Sequence, residues 1–399
     1  VRLCIVSGKY PFGQGEAFLD AELRALAPSF ESITVVPTSP RTREYGYAGV
    51  PAAVVSIPLV GFSTFALAAR AALRRPLRSL RAVAAIATER YSLRVKLKNL
   101  AVIPKGLALS EIARARELDH LHAYWLSTPA TVAWLAARMS GIPFSATTHR
   151  WDLYENNMAA RKLRDAAFVR TISERGRDDL IRMTGGDPAR VALVRLGVAL
   201  PLMGLPRPPG GPFTILCAAR LVPVKGHATL VEALALLRAR GVAFTCTLAG
   251  EGELRDAIAL QVSAAGLSDA VELAGVVPHE KLLARLQRGD FDVSVISSIE
   301  APGGLMEGVP VALMEAMAAG TVVVATDSGS VRELVDAETG VLVPPSDPGA
   351  LAGGLARVAG DPALRSALRE AARRRVEEAF DGRRTSERLA ALIRCGTIR

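Results

Sequence analysis

Residues 213–249 read FTILCAARLVPVKGHATLVEALALLRARGVAFTCTLA. A short apolar run (213–219) is followed by a Pro- and Gly-containing turn and a helical pattern (226–240). A second apolar run (243–249) closes the unit. Strand, crossover helix and second strand make the repeating unit of a parallel sheet, and strands that are apolar throughout belong to sheets covered on both faces. The pattern continues downstream with strands predicted at 270–274, 291–297 and 321–325, and helices at 252–265, 279–288, 311–319 and 361–379. Upstream lies PLMGLPRPPGGP (201–212), dense in Pro and Gly, which reads as a linker. Before it the same alternation predicts strands at 2–7, 32–37, 53–57, 119–123, 143–148, 168–172 and 191–195, with helices at 16–27, 126–140 and 174–184. The expected architecture is α/β, two doubly wound domains over 1–200 and 213–380, with ligands beyond the carboxyl ends of the strands. An amphipathic helix at 383–397 is expected to pack back on the first domain.

A length of 399 residues suits two domains, and 50% hydrophobic with 22% charged residues excludes a disordered chain. Cys4, Cys217, Cys246 and Cys395 have no metal-ligand or CxxC spacing, and three of them sit in apolar runs, so buried thiols are expected. No apolar stretch reaches the ~18–20 residues of a membrane span. VRLCIVSG at the start lacks a signal-peptide layout. A cytoplasmic protein is the expectation.

The net charge is +10, but it is not evenly spread. Residues 1–200 carry +12 and residues 201–399 carry −2. Ten bases and one acid fall within 66–106, so this stretch alone is +9. Leu73, Leu77, Leu80 and Ala84 recur at helical spacing beside Arg70, Arg74, Arg78 and Arg81, which predicts a basic amphipathic helix or helix pair, with Pro76 in the first turn of the second piece. Such a helix suits peripheral contact with an anionic membrane surface. An ordinary domain helix with a solvated Arg face is the alternative. Aromatics are only 5% and no RNA- or DNA-binding pattern occurs, so nucleic acid is not an expected partner.

Four clusters carry candidate chemistry. Arg220 and Lys225 flank a turn between a strand and a helix, where a guanidinium, an ammonium and a helix N-terminus suit a diphosphate. Gly250 lies in the AGEGE turn after the next strand, where glycine permits close backbone approach. In EGVPVALMEAMAAG (307–320), Pro310 fits the first turn of a helix, so the amides of Val311 and Ala312 are open to an anion. Glu307 and Glu315 there are acceptors suited to sugar hydroxyls and a ribose diol. TDSGS (326–330) reads as turn punctuation. Asp290-Phe-Asp292 mimics a metal-binding DxD, but Asp292 opens a strand and Arg220 with Lys225 already neutralises a diphosphate. No metal and no cofactor are expected.

Taken together, these clusters resemble the donor half of the GT-B glycosyltransferases, most closely the retaining family 4 with its Glu-x7-Glu signature. The resemblance implies two Rossmann-like domains with a cleft between them and a nucleoside-diphosphate-sugar donor, a UDP-sugar in preference to a GDP-sugar. It also implies that Arg220 and Lys225 bind the diphosphate, Glu307 the donor sugar, Glu315 the ribose, and Gly275 and Val276 the base. YPFGQGEAFLDAEL (10–23) is similar to the N-terminal loop of a subgroup making surface polysaccharides, which puts Gly13, Gly15 and Glu16 at the acceptor side. HLHAYWLSTPATVAWLAARMSGIPFSATTHRWDLY (120–154) looks like that subgroup's next segment, with His149 beside the donor sugar. Pro310 departs from the family's common glycine, Tyr124 and Trp151 stand where the subgroup often has histidines, and RLGVAL (195–200) lacks the acid of the usual turn.

The implied activity transfers a sugar to a saccharide or glycoside acceptor, lipid-linked or soluble. Two alternatives remain open at this point. A nucleotide-sugar epimerase on the same fold would need catalytic carboxylates in the first domain, where Asp152 and Glu16 are the candidates. A non-catalytic membrane adaptor would use the basic helix alone.

Overall fold

The structure is a computed structural model, describing residues 1–12, 16–39, 49–204, 206–207, 210–302 and 304–398. Its contacts divide the chain into two units, Val1–Leu196 with the segment from Gly382 onward, and Gly197–Asp381.

The first unit holds strands β1 (Arg2–Ser7), β2 (Ser32–Pro37), β3 (Ala53–Val54), β4 (His120–Ala123), β5 (Phe144–Thr148), β6 (Val169–Thr171) and β7 (Val191–Leu193). They form one sheet in the order β3-β2-β1-β4-β5-β6-β7, parallel throughout. Its helices are α1 (Ala17–Leu26), α2 (Phe62–Arg74), α3 (Pro76–Thr88), α4 (Leu93–Ala101), α5 (Ile103–Ala115), α6 (Thr128–Ser140), α7 (Arg150–Tyr154), α8 (Ala159–Asp165) and α9 (Glu174–Thr184). Trp134 and Leu135 of α6 are buried on one face of the sheet with Leu109 of α5. On the other face Leu19 and Leu23 of α1 meet Leu3 and Ile5 of β1. Covering both faces is what buries β1, β4, β5 and β6 along nearly their whole length, with apolar side chains in β1 and hydrogen-bonded polar ones such as His122 and Ser145 in β4 and β5.

The second unit holds β8 (Phe213–Ala218), β9 (Phe244–Ala249), β10 (Val271–Gly275), β11 (Val293–Ile296), β12 (Val322–Thr326) and β13 (Val341–Val343). They pair in the order β10-β9-β8-β11-β12-β13, again all parallel. Helices α10 (His227–Ala239), α11 (Arg255–Ala264), α12 (His279–Gln287), α13 (Val311–Ala319), α14 (Pro348–Gly360) and α15 (Pro362–Ala379) flank the sheet. Leu230, Leu234 and Leu237 of α10 fill one face and Leu313, Met314 and Met317 of α13 the other. The final helix, α16 (Gly382–Ile398), belongs to the first unit, where Leu389, Ala390 and Ile393 join the cluster around β1 and α1.

Pro76 opens α3, one residue after the break that ends α2. Lys105, counted above in the basic stretch, is not on the surface. It is buried in α5, and its Nζ donates to the carbonyls of Pro37 (2.7 Å) and Thr38 (2.8 Å) at the end of β2. Strand β13 and helix α14 escaped the sequence reading. The three-residue strand is too short to show a period, and α14 carries Gly353 and Gly354 in mid-helix. Cys4, Cys217 and Cys246 are buried free thiols, as expected.

Candidate active site

In the second sheet the strand order reverses between β8 and β11, with β9 and β10 on one side of β8 and β12 and β13 beyond β11. Loops leaving the carboxyl ends of β8 and β11 therefore diverge, and such a switch point is where parallel sheets take ligands. Lys225 comes from the loop after β8 and Glu307 from the loop after β11, and they meet there, Nζ to Oε2 at 2.5 Å.

Backbone contacts fix both loops. The amide of Ile299 donates to the Val224 carbonyl (2.9 Å), and Ser297 Oγ donates to the carbonyls of Lys225 (3.1 Å) and Gly226 (3.0 Å). Gly226 has φ +62°, and a Cβ there would lie 2.0 Å from the Ser297 carbonyl oxygen, so only glycine lets the loops close up. On the other side, Ser330 N donates to the Glu307 carbonyl at 3.1 Å. A Cβ on Gly329, at φ +63°, would come within 1.9 Å of that same oxygen. The TDSGS turn is thus a support for Glu307 rather than mere punctuation.

The Glu307 carboxylate also accepts from Ser298 Oγ (2.7 Å) and from the amide of Gly308 (3.1 Å). Burial pushes its pKa up, but the charge of Lys225 and the hydrogen bonds from Lys225, Ser298 and Gly308 outweigh that and hold it below the ordinary carboxylate value. At neutral pH the site therefore contains an ionised Glu307 paired with Lys225, both largely enclosed.

Pro310 is the residue before α13, in extended conformation, and not its first helical residue. The first helical bonds run from the amides of Leu313 (3.1 Å) and Met314 (3.2 Å) to the Pro310 carbonyl. The amides of Val311 and Ala312 precede them, in the position where a helix has donors to offer. Glu315 lies one turn into α13 and pairs with His279 Nε2 of α12 at 2.7 Å. That hydrogen bond raises the pKa of His279. Glu307 and Glu315 are thus each matched with a base of their own. Arg220 is exposed in the turn after β8 and has no ion pair among the described residues. Gly250 N donates to the Gly275 carbonyl (2.8 Å), joining the ends of β9 and β10, with Val276 exposed next to them. Asp292 lies at the opposite, amino end of β11. It accepts from the amide and hydroxyl of Thr214 and pairs with Arg207 (3.2 Å), while Asp290 pairs with Arg288 and Arg285.

The first unit has its own switch point, between β1 and β4. Gly13 and Gly15 lie outside the described residues. Glu16 is buried and organises the loop: Oε2 accepts from the amides of Lys9 (2.9 Å) and Tyr10 (2.6 Å), and Oε1 from Trp125 Nε1 (2.5 Å). Asp152 accepts from the amides of His149 (2.7 Å) and Leu126 (2.6 Å), and burial pushes its pKa up to about 7. Both carboxylates named for an epimerase are therefore committed to the backbone. His149 follows β5, with its ring 4.2 Å from that of Trp125 and 5.1 Å from that of Phe18. Burial, with a smaller contribution from the charge of Arg170, lowers its pKa to about 3. Both ring nitrogens are buried without a hydrogen-bond partner among the described residues. His122, by contrast, spends both nitrogens inside the core, on Ser145 Oγ (2.7 Å) and Thr147 Oγ1 (2.9 Å).

Ser298 and Trp125 were not singled out in the sequence, while Gly329 stood there only as turn punctuation. The serine follows a strand with no motif around it, and His279 showed only as the first residue of a helix.

Known proteins resemble this geometry and sequence in a consistent way. Residues 206–375, within the second unit, match the description "Glycosyl transferases group 1". WcaL of Salmonella typhimurium, named for colanic acid biosynthesis, is 36% identical over 219 residues, 53% of this chain and 53% of that protein. The chain thus spans about half the length of the first of its curated relatives. The D-inositol 3-phosphate glycosyltransferase of Salinispora arenicola is 30% identical over 319 residues, 69% of this chain and 68% of that protein. Among solved structures, HepE of Anabaena in complex with UDP and glucose superposes with a TM-score of 0.71 over 98% of both chains, at 19% identity, which shows the GT-B fold. A GT-B architecture, a matching second unit and a relative aligned over two thirds of its length have one common explanation: the chain belongs to the group 1 glycosyl transferases.

Proposed function

We propose that this chain is a retaining glycosyltransferase of family 4 that needs no metal. It acts in the cytoplasm and moves a sugar from a UDP-sugar to a saccharide or glycoside acceptor. The observation that carries the reading is the Lys225–Glu307 pair at the switch point of the second sheet, beside the amides that open α13. An ammonium and free helix amides favour a diphosphate, and Glu307, kept ionised, is an acceptor for sugar hydroxyls. Support for UDP comes from HepE, whose structure holds it, and support for a saccharide acceptor from the colanic acid biosynthesis in the name of WcaL.

In this reading Lys225, Arg220 and the amides of Val311 and Ala312 receive the diphosphate. Glu315 takes the ribose diol, and Gly250, Gly275 and Val276 border the base. The bond between the sugar's anomeric carbon and the diphosphate breaks, and negative charge grows on the departing oxygen. That oxygen takes the acceptor hydroxyl's proton as the acceptor oxygen bonds to the same face of the anomeric carbon. The protein contributes fixed positive charge where negative charge develops. His149, neutral and with both ring nitrogens unpartnered among the described residues, offers a hydrogen bond to a sugar hydroxyl, while Gly13, Gly15 and Glu16 belong to the acceptor side.

The test is a panel of UDP- and GDP-sugars with saccharide acceptors in the presence of a chelator, with the anomeric configuration of product read by NMR. Retention with a UDP-sugar is expected. An inverted product, or activity abolished by the chelator, would sink the corresponding part of the reading.

A further inference from the structure

Helices α2, α3 and α4 expose most of their leucines and turn mainly smaller side chains inward. Thr64, Ala68 and Ala71 of α2, Ser79, Ala82 and Ile86 of α3, and Val95 and Asn99 of α4 face the protein. Phe62 is 92% exposed, Leu73 82%, Leu77 68%, Leu80 68%, Leu93 71% and Leu97 58%. A helix serving only its own domain turns its leucines inward and its charge outward. Here Leu73, Leu77 and Leu80, the stripe at helical spacing in the sequence, point to solvent together with the arginines around them. Single exposed apolar residues are ordinary, but a run on three consecutive helices, each packed on the next, marks an interaction surface.

The charge on this surface selects its partner. Arg70 and Arg74 share Glu111, and Lys98 pairs with Glu155. Arg78, Arg81, Arg90, Arg94 and Lys96 make no ion pair among the described residues. A second copy meeting this face symmetrically would set the same bases against one another. An anionic bilayer accepts both features, apolar side chains at the acyl boundary and bases at the phosphates. No described helix is long and apolar enough to cross a membrane, so the contact is with the surface.

We propose that the outer faces of α2, α3 and α4 dock this protein on an anionic lipid bilayer, with Phe62, Leu73, Leu77, Leu80, Leu93 and Leu97 entering the headgroup boundary. Binding of vesicles is read separately from sugar transfer, so either result stands without the other.

Flotation of the full chain with vesicles of phosphatidylglycerol and phosphatidylcholine in equal parts, against phosphatidylcholine alone, is the test. Binding to the first only, weakened by salt, is expected. Leu73→Ser/Leu77→Ser/Leu80→Ser should lower partitioning tenfold or more, on the order of several buried methylenes lost, with circular dichroism unchanged because these side chains touch no core. Arg78→Gln/Arg81→Gln/Arg94→Gln should lower it by about fivefold per charge removed. Three results would overturn the proposal: no flotation with the anionic vesicles, equal flotation with neutral ones, or leucine-variant binding at the wild-type level. A dimer in sedimentation that becomes a monomer in the leucine variant would assign the face to a second copy instead.

Discussion

Lys225 and Glu307 stand 82 positions apart and share one hydrogen bond. Neither has its chemistry without the other. Unpaired, a largely enclosed Glu307 would have its pKa pushed up by burial, and Lys225 would lose the carboxylate that orients its Nζ. The pair is in turn held by backbone: Gly226 against the Ser297 carbonyl, Gly329 against that of Glu307. Lys225→Ala should lower kcat about 10²-fold or more, on the scale of one lost transition-state donor, in single-turnover assays with saturating donor. A turnover equal to wild type would remove Lys225 from the leaving-group role. The motif and its spacing were legible in the sequence because they are local. The partners Ser298 and Ser330 were not, because each is a common residue in a loop and acquires its role only when β11 and β12 lie side by side.

At the level of elements, the parallel strands other than β13 could be read directly, since strands buried on both faces appear as short, largely apolar runs between helical stretches. Helix α16 shows what such runs leave out. Its amphipathic pattern predicts a helix with one buried face on the first domain but does not name the elements it covers. Leu389, Ala390 and Ile393 are wholly buried against the α1 side of the first sheet. Leu389→Ala should therefore destabilise the first unit by about 2–5 kcal/mol, the range for a leucine-sized cavity in a packed core. Urea unfolding followed by Trp fluorescence reports on this unit, because Trp125, Trp134 and Trp151 all lie in it. An unchanged midpoint would mean that α16 is dispensable cover. Helices α2 to α4 make the complementary case: their periodicity was legible, and which stripe faces inward was not.

For the whole molecule, buried histidines set the response to acid. Burial lowers the pKa of His120 to about 4, of His149 to about 3, of His227 to about 4 and that of His122 well below its ordinary value of 6.5. Each is neutral in the folded chain, while the unfolded chain protonates near pH 6.5, so it favours the folded state fully above that value and progressively less as pH falls toward the folded pKa. Glu307, with its lowered pKa, adds a loss in the same direction below about pH 4.5. Asp152 runs the other way, because its raised pKa contributes stability that fades as pH rises toward about 7. Four histidines outweigh one carboxyl, so the urea midpoint should fall between about pH 6.5 and about pH 4. A midpoint flat across that window would mean that the histidines are solvated.

The sequence by itself determined the βα alternation, the two-sheet architecture and the spacing of Arg220, Lys225, Glu307 and Glu315, because periodicity and motif are properties of neighbouring residues. It also located the +9 stretch. Tertiary structure alone decided that Lys225 meets Glu307, that Glu16 and Asp152 are occupied by backbone amides, that Lys105 is buried, and that Leu73, Leu77 and Leu80 face outward. The physical reason is the same in each case. A side chain's partners are set by which strands lie next to each other, and in a parallel sheet those neighbours come from distant parts of the chain.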